Sequence, residues 1–229
     1  MADDWHLPCG DRWLKVRRSS VADGDFHLEG PRSALLERRQ RFFPGAWTQL
    51  DEVHGTDVVH VRAPGDHDFA VGDAAVSTCD GAVLSVWVAD CAAVLLVSDG
   101  GGFGVVHAGW RGASLGVLEQ SVTALRDVAP GGVRAMLLSA IGPCCYEFGH
   151  DDLAVVIGEY GDEVRSRTTW STTSLSMPAL VSTALTRVGV EVDDVSACTR
   201  CSSDRWFSHR RGDGERHVVA AALSNGAAA

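Results

Sequence analysis

From Val58 the stretch VVHVR alternates apolar and polar positions, which is the period of a half-buried strand. Three apolar runs follow: GAVLSVWV from Gly81, AVLLVS from Ala93 and FGVVHA from Phe103. The breaks between them, ADC and DGGG, are turn chemistry, so the runs predict three consecutive strands. VRAMLLS from Val133 and HVVAAAL from His217 predict two more. Elsewhere the period changes to that of a helix. PRSALLERRQRFF places Pro31 at a helix start. SLGVLEQSVTALRDVAP carries Leu118, Val122 and Leu125 at helical spacing and is closed by Pro130. DDLAVVIGEY from Asp151 reads as a helix, and PALVSTALTRVG is opened by Pro178 and ended by Gly189. Strands and helices mix without a regular βαβ rhythm, and DGGGFG is not a dinucleotide-binding G-x-G-x-x-G turn. The pattern predicts an α/β protein, a mixed-sheet sandwich with helices covering the sheets. It forms a single domain over 1–229, with 225–229 as a frayed tail.

Composition narrows the function. Apolar residues make up 45 % of the 229 positions and charged residues 22 %, as in an average globular chain. No apolar run is long enough to span a membrane, and the acidic MADDWHLPCG start is unlike a signal peptide. A net charge of −10 argues against non-specific nucleic-acid binding. Seven cysteines, an odd number without a secretion signal, predict free thiols in a reducing cytoplasm.

Three segments place metal-capable side chains beside glycine or at a strand end. They are EVHGTDV with His54, VADCAAV with Asp90 and Cys91, and VVHAGWRG with His107, Trp110 and Arg111. His54, Cys91 and His107 are too far apart in sequence for a zinc finger. They suit an active-site zinc whose ligands converge from different strand ends and leave a position for water or substrate. Each histidine alone also fits a hydrogen-bonded structural residue. His6, His27, His60, His67 and His150 lack such a context and read as structural or surface residues. Asp90 is the adjacent candidate for moving protons, but it shares a pocket with Cys91 only if a turn breaks the strand alternation there.

Two further groups are open. Cys144 and Cys145 in IGPCCYEFG read as two small structural residues, or as a nucleophile or redox pair. CTRC, from Cys198 to Cys201, is a lone C-x-x-C and a weak zinc signal. RWFSHRRGDGERH concentrates four arginines and two histidines. It is either a solvated turn or an anion clamp, with Arg210 and Arg211 as candidate substrate contacts.

Taken in order, VHGTDV, DGAVLSVWVADCAAVLL, VVHAGWRG, AIGPCCYEFG and CTRC…WFSHRRGDGER resemble the laccase-domain family, also called YfiH-like, polyphenol oxidase or purine nucleoside phosphorylase. The resemblance covers most of the chain from about Val53. It implies one YfiH-like α/β domain, a mononuclear zinc held by His54, Cys91 and His107, and cytoplasmic purine nucleoside chemistry. The implied activity is phosphorolysis of adenosine, inosine and methylthioadenosine to the base and ribose 1-phosphate, with adenosine deaminase activity besides. Arg111 is the candidate phosphate or ribose contact. Departures from the family pattern are Glu52 where glutamine is common before VHG, Ala93 at a usual proline, and GERH in place of TGR.

Two other chemistries fit the residues. A cysteine hydrolase would use Cys91 as nucleophile and His107 as base, as in an amidase editing peptidoglycan precursors. A copper polyphenol oxidase needs His-x-His pairs, and no two of the nine histidines are separated by a single residue. Cu2+ still suits an N/S site in vitro, given its high intrinsic affinity.

Overall fold

The computed structural model describes residues 2–224. The predicted tail 225–229 lies outside them. In chain order the elements are β1 (Asp3–Cys9), β2 (Arg12–Arg18), α1 (Arg32–Phe42), β3 (Ala46–Gln49), β4 (Val58–Val61), β5 (Ala74–Ser77), β6 (Ala82–Val88), β7 (Ala92–Ser98) and β8 (Phe103–Ala108). There follow α2 (Trp110–Ser114), α3 (Val117–Val128), β9 (Val133–Ser139), α4 (His150–Tyr160), β10 (Arg165–Arg167), β11 (Thr173–Leu175), α5 (Met177–Arg187), β12 (Glu191–Asp194) and β13 (His217–Ser224).

Two mixed sheets carry the fold. One has strand order β1-β2-β13-β6-β3 and the other β12-β9-β7-β8-β5-β4, while β10 and β11 form a separate hairpin. The runs β6, β7 and β9 are mostly apolar, with Ser85, Ser98, Arg134 and Ser139 as the exceptions, because both faces of each sheet are covered. Leu14, Val16, Leu84, Val86 and Val219 of the first sheet meet Ala93, Leu95, Val97 and Val105 of the second in a shared core. On the far side of the second sheet, Val94, Leu96, Val106 and Leu137 pack against Leu118, Val122 and Leu125 of α3 and Leu180, Val181 and Leu185 of α5. On the far side of the first sheet, Val83, Val218 and Ala220 pack against Leu35 and Phe42 of α1. The result is helix, sheet, sheet, helices, the sandwich the periodicity predicts.

The differences from expectation are local. DDWHLPC and RWLKVRR, which carry charges and a proline, form the β1–β2 hairpin. Pro8 is tolerated because β1 is the edge strand. The helix expected from Ser114 is two helices, α2 and α3. They are separated where Gly116 takes a left-handed φ of 91°.

For function, the important feature is where the chain changes sheets. It leaves the first sheet after β3 to enter β4 of the second, and again after β6 to enter β7. Both crossings lie at one end of the sandwich, and both carry a predicted ligand.

Candidate metal centre and its two hollows

His54 sits on the first crossing, Cys91 on the second, and His107 at the end of β8. The register of β7 against β8 pairs Ala92 with Ala108 and Ala93 with His107, which brings Cys91 beside His107. The ligand-type atoms of His54, Cys91 and His107 all lie within 4.8 Å of one another. Cys91 Sγ is 3.7 Å from His54 Nε2, and the two imidazole rings meet edge to face at 4.8 Å. Asp90 carries a φ of 90°, so the alternation is broken there, and Asp90 and Cys91 line the same hollow.

Asp73, which the sequence reading did not single out, organises the cluster. It is buried immediately before β5. Its Oδ1 lies 2.8 Å from His107 Nδ1, and its oxygens accept the backbone N–H groups of His54 at 2.9 Å and Gly55 at 2.7 Å. With Nδ1–H given to Asp73, His107 presents the Nε2 lone pair to the cluster. This is the second partner expected of a metal-ligating histidine. The N–H bonds also hold His54 at a φ of 59°, a conformation that needs such support. Burial works against the Asp73 charge, but His107 and the two N–H groups outweigh it and hold its pKa below the ordinary carboxyl value.

Glu52 is the other missed residue. Its side chain is 3 % exposed, and Oε2 lies 3.7 Å from His107 Nε2. Oε1 accepts the Trp87 N–H at 2.9 Å. Burial pushes its pKa up to about 8, against the pull of His107. Burial opposes ionisation of Cys91 as well, but His107 and His54 draw that thiol down to about 6. His107 is raised well above its ordinary value: burial disfavours its charge, and Glu52, Cys91 and Asp73 favour it more. Without a metal the cluster therefore holds a thiolate against an imidazolium, beside a neutral carboxylic acid. Two imidazole nitrogens and a sulfur that ionises readily, all within 4.8 Å, fit a zinc-type cation taking the place of the shared proton.

Two glycines make the approach possible. A Cβ on Gly109 would lie 2.5 Å from His54 Cδ2, and one on Gly112 would lie 2.7 Å from the Gly55 carbonyl oxygen. The HGT and HAGWRG segments thus pack backbone against the His54 ring at Gly109 and backbone against backbone at Gly112, with no room for a methyl group. Gly109→Ala is expected to displace the His54 ring and weaken metal binding on the order of 10- to 100-fold, read by zinc titration. Unchanged affinity would mean that His54 is not a ligand.

His54 and Cys91 form a wall common to two hollows, and His107 faces the first of them. The first, about 190 Å³, is lined by Glu52, His27, Trp87, His209 and Arg216 together with the three cluster residues. His27, expected to be structural or at the surface, is thus part of the site and meets Trp87 edge to face at 4.7 Å. The second, about 300 Å³, is lined by His54, Cys91, Trp110, Arg111, Tyr146 and Arg210 among others. The Arg111 guanidinium lies 4.6 Å over the Trp110 ring and, among the described residues, makes no hydrogen bond or ion pair. Trp110 is both wall and anchor, since its ring also meets Phe148 edge to face at 5.2 Å. Arg210 lies over the Tyr146 ring and donates to the Glu147 carbonyl oxygen at 2.9 Å.

Two candidates are engaged elsewhere. Asp90 accepts hydrogen bonds from the Thr199 and Ser208 hydroxyls and from the Arg210 N–H, which anchors the loop carrying His209 and Arg210. Arg211 spends its guanidinium on the carbonyl oxygens of Thr199, Arg200 and Trp206 and on Asp213, and it lines neither hollow.

Fold and cluster together define a class: a double-sheet α/β protein with a candidate His–Cys–His metal centre between two hollows. Residues 19–223 match the family described as multi-copper polyphenol oxidoreductase laccase, and the chain belongs to that family. It is 37 % identical over 207 residues to a purine nucleoside phosphorylase of Xylella fastidiosa, spanning 84 % of this chain and 77 % of the relative. It is 30 % identical over 214 residues to purine nucleoside phosphorylase YlmD of Geobacillus stearothermophilus, spanning 82 % and 77 %. The fold is that of a Neisseria meningitidis protein, with a TM-score of 0.82 at 24 % identity over 99 % of both chains. No helix among the described residues is long and apolar enough to cross a membrane.

Proposed function

We propose that the chain is a cytoplasmic, zinc-dependent purine nucleoside phosphorylase acting on adenosine, inosine and methylthioadenosine, with adenosine deaminase activity at the same centre. The observation that carries this reading is the cluster between two chemically different hollows. One has aromatic walls and a buried acid, and the other holds an arginine with no internal hydrogen bond or ion pair among the described residues. The relatives named purine nucleoside phosphorylase support the substrate class. Bound by His54, Cys91 and His107, zinc would supply Lewis-acid polarisation of a water or substrate oxygen.

The protein's own residues divide the remaining work. The purine lies in the first hollow against Trp87 and His27. Glu52, buried beside His107, in its protonated form donates a hydrogen bond to the ring as negative charge builds on it. Phosphate lies in the second hollow on Arg111, with Arg210 nearby. A phosphate oxygen bonds to ribose C1′ as the C1′–N9 bond breaks, and that electron pair leaves with the base. Asp73 keeps His107 in the tautomer that directs Nε2 inward.

Arg111→Ala is expected to raise KM for phosphate about 10-fold or more while sparing adenosine deamination, since a charged hydrogen bond contributes roughly 1.5–3 kcal/mol. Steady-state kinetics with varied phosphate reads this, and an unchanged phosphate KM would place the anion elsewhere.

A second reading, the cysteine hydrolase, draws on the depressed Cys91 thiol beside His107. Metal analysis separates the two. Stoichiometric zinc that disappears in Cys91→Ser supports the phosphorylase. Turnover by metal-free protein, abolished by alkylating Cys91, supports the hydrolase and overturns the zinc reading.

A further inference from the structure

The structure gathers a second set of metal-type side chains, far from the first in sequence. Cys144, Cys145, Cys198 and Cys201 have their sulfur atoms within 4.8 Å of one another, and all four are free thiols. Cys201 Sγ lies 3.3 Å from Cys145 Sγ and 3.7 Å from Cys144 Sγ. Four sulfurs at about 2.3 Å from a central zinc stand roughly 3.8 Å apart at the corners of a tetrahedron. A disulfide would need about 2.05 Å. The spacing is thus that of ligands around one ion.

The backbone is shaped to bring the thiols together. Residues 143–145 form a turn, closed by the Cys145 N–H on the Gly142 carbonyl oxygen, so neighbouring Cys144 and Cys145 are not sent to opposite faces of a strand. Gly142 is needed for the approach: a Cβ there would lie 2.9 Å from Cys198 Cβ and 3.1 Å from Cys144 Sγ. A bridge between Ala140 and Cys198 pins the C-x-x-C turn beside the end of β9. Arg211 caps that turn, donating at 3.1 Å to the carbonyl oxygens of Thr199 and Arg200 between its two cysteines.

We propose that Cys144, Cys145, Cys198 and Cys201 form a second, structural zinc site. On binding, each thiol gives its proton to solvent and its sulfur to the ion. No position is left for substrate, as in closed structural sites. The role is to staple the segment after β9 to the C-terminal loop. Thr199, inside the staple, reaches Asp90, and the same loop carries His209 and Arg210 to the two hollows. The inference holds whatever the hollows bind, so it stands or falls separately from the nucleoside reading.

The test is a metal count on the full chain, purified under reducing conditions and read by elemental analysis and native mass spectrometry. Wild type is expected to carry two zinc ions. The His54→Ala/Cys91→Ala/His107→Ala variant is expected to keep one. Loaded with Co2+, that variant should show strong thiolate-to-metal charge-transfer absorption. Cys198→Ser/Cys201→Ser should keep one ion, held at the first centre. If that variant does not fold, the wild type alone decides. Cys198 and Cys201 should resist alkylation until a chelator is added, then react within the folded protein. The proposal is overturned by a single ion that vanishes in the triple variant, by alkylation indifferent to chelator, or by a reduced-versus-oxidised mass difference that reveals a disulfide among the four.

Discussion

Cys91→Ser is expected to bind no zinc at the His–Cys–His centre and to lower kcat/KM for phosphorolysis on the order of 10³-fold. A serine hydroxyl stays protonated where the thiol ionises at about 6, so the site loses its only anionic ligand. Lewis-acid stabilisation contributes several kcal/mol to a transition state, and each 1.36 kcal/mol is tenfold in rate. The fold should survive, because Cys91 is half-buried and serine is close in shape. Zinc titration and circular dichroism on the same sample separate loss of metal from loss of structure. A variant that keeps the first zinc, or keeps full activity without it, contradicts the ligand assignment.

Glu52 gives the second large effect. Glu52→Leu removes the hydrogen-bond donor from the first hollow, and kcat/KM is expected to fall on the order of 10²-fold. Glu52→Gln should recover most of that loss at neutral pH. A neutral carboxylic acid offers one acceptor, used by the Trp87 N–H, and one donor, and a glutamine amide offers both in the same places. The two differ in pH dependence. The folded Glu52 has a pKa of about 8 against an ordinary 4.5, so between these values the folded chain holds a proton that the unfolded chain releases. The metal-free wild type should therefore lose Tm relative to Glu52→Gln as pH rises from about 4.5 to about 8, and the difference should level off above. Parallel Tm curves, or a glutamine variant as impaired as the leucine one, would remove Glu52 from the donor role.

Much of the fold was legible because its central strands are mostly apolar runs. β6, β7, β8 and β9 are covered on both faces, and isolated polar residues such as Ser85 and Arg134 set up no regular alternation. The β1–β2 hairpin was not legible, because edge position and not composition makes DDWHLPC a strand. In the site, His54 and His107 were marked by the glycines of HGT and HAGWRG, and Cys91 by the polar break between two apolar runs. Asp73 carried no such mark. Its importance arises from three contacts across the fold, and VGDAAV gives only an acid before a strand. Glu52 was visible as a departure from the family pattern, but its burial and raised pKa depend on Trp87 and His107, which are distant in sequence. The arginine-rich segment looked like one clamp and divides by geometry: Arg210 and Arg216 reach the hollows, while Arg211 is turned into the loop. The four cysteines looked like two weak motifs because only the fold brings residues 144–145 to 198–201.

Nucleoside phosphorolysis at the proposed His–Cys–His centre is tested by identifying the products. Purified zinc-loaded protein is incubated with adenosine, with and without inorganic phosphate, and the mixture is resolved by chromatography and mass spectrometry. Adenine and ribose 1-phosphate are expected in equal amounts only when phosphate is present, inosine in both samples, and neither activity in Cys91→Ser. Absence of adenine, ribose 1-phosphate and inosine from the wild-type reaction would contradict that reading.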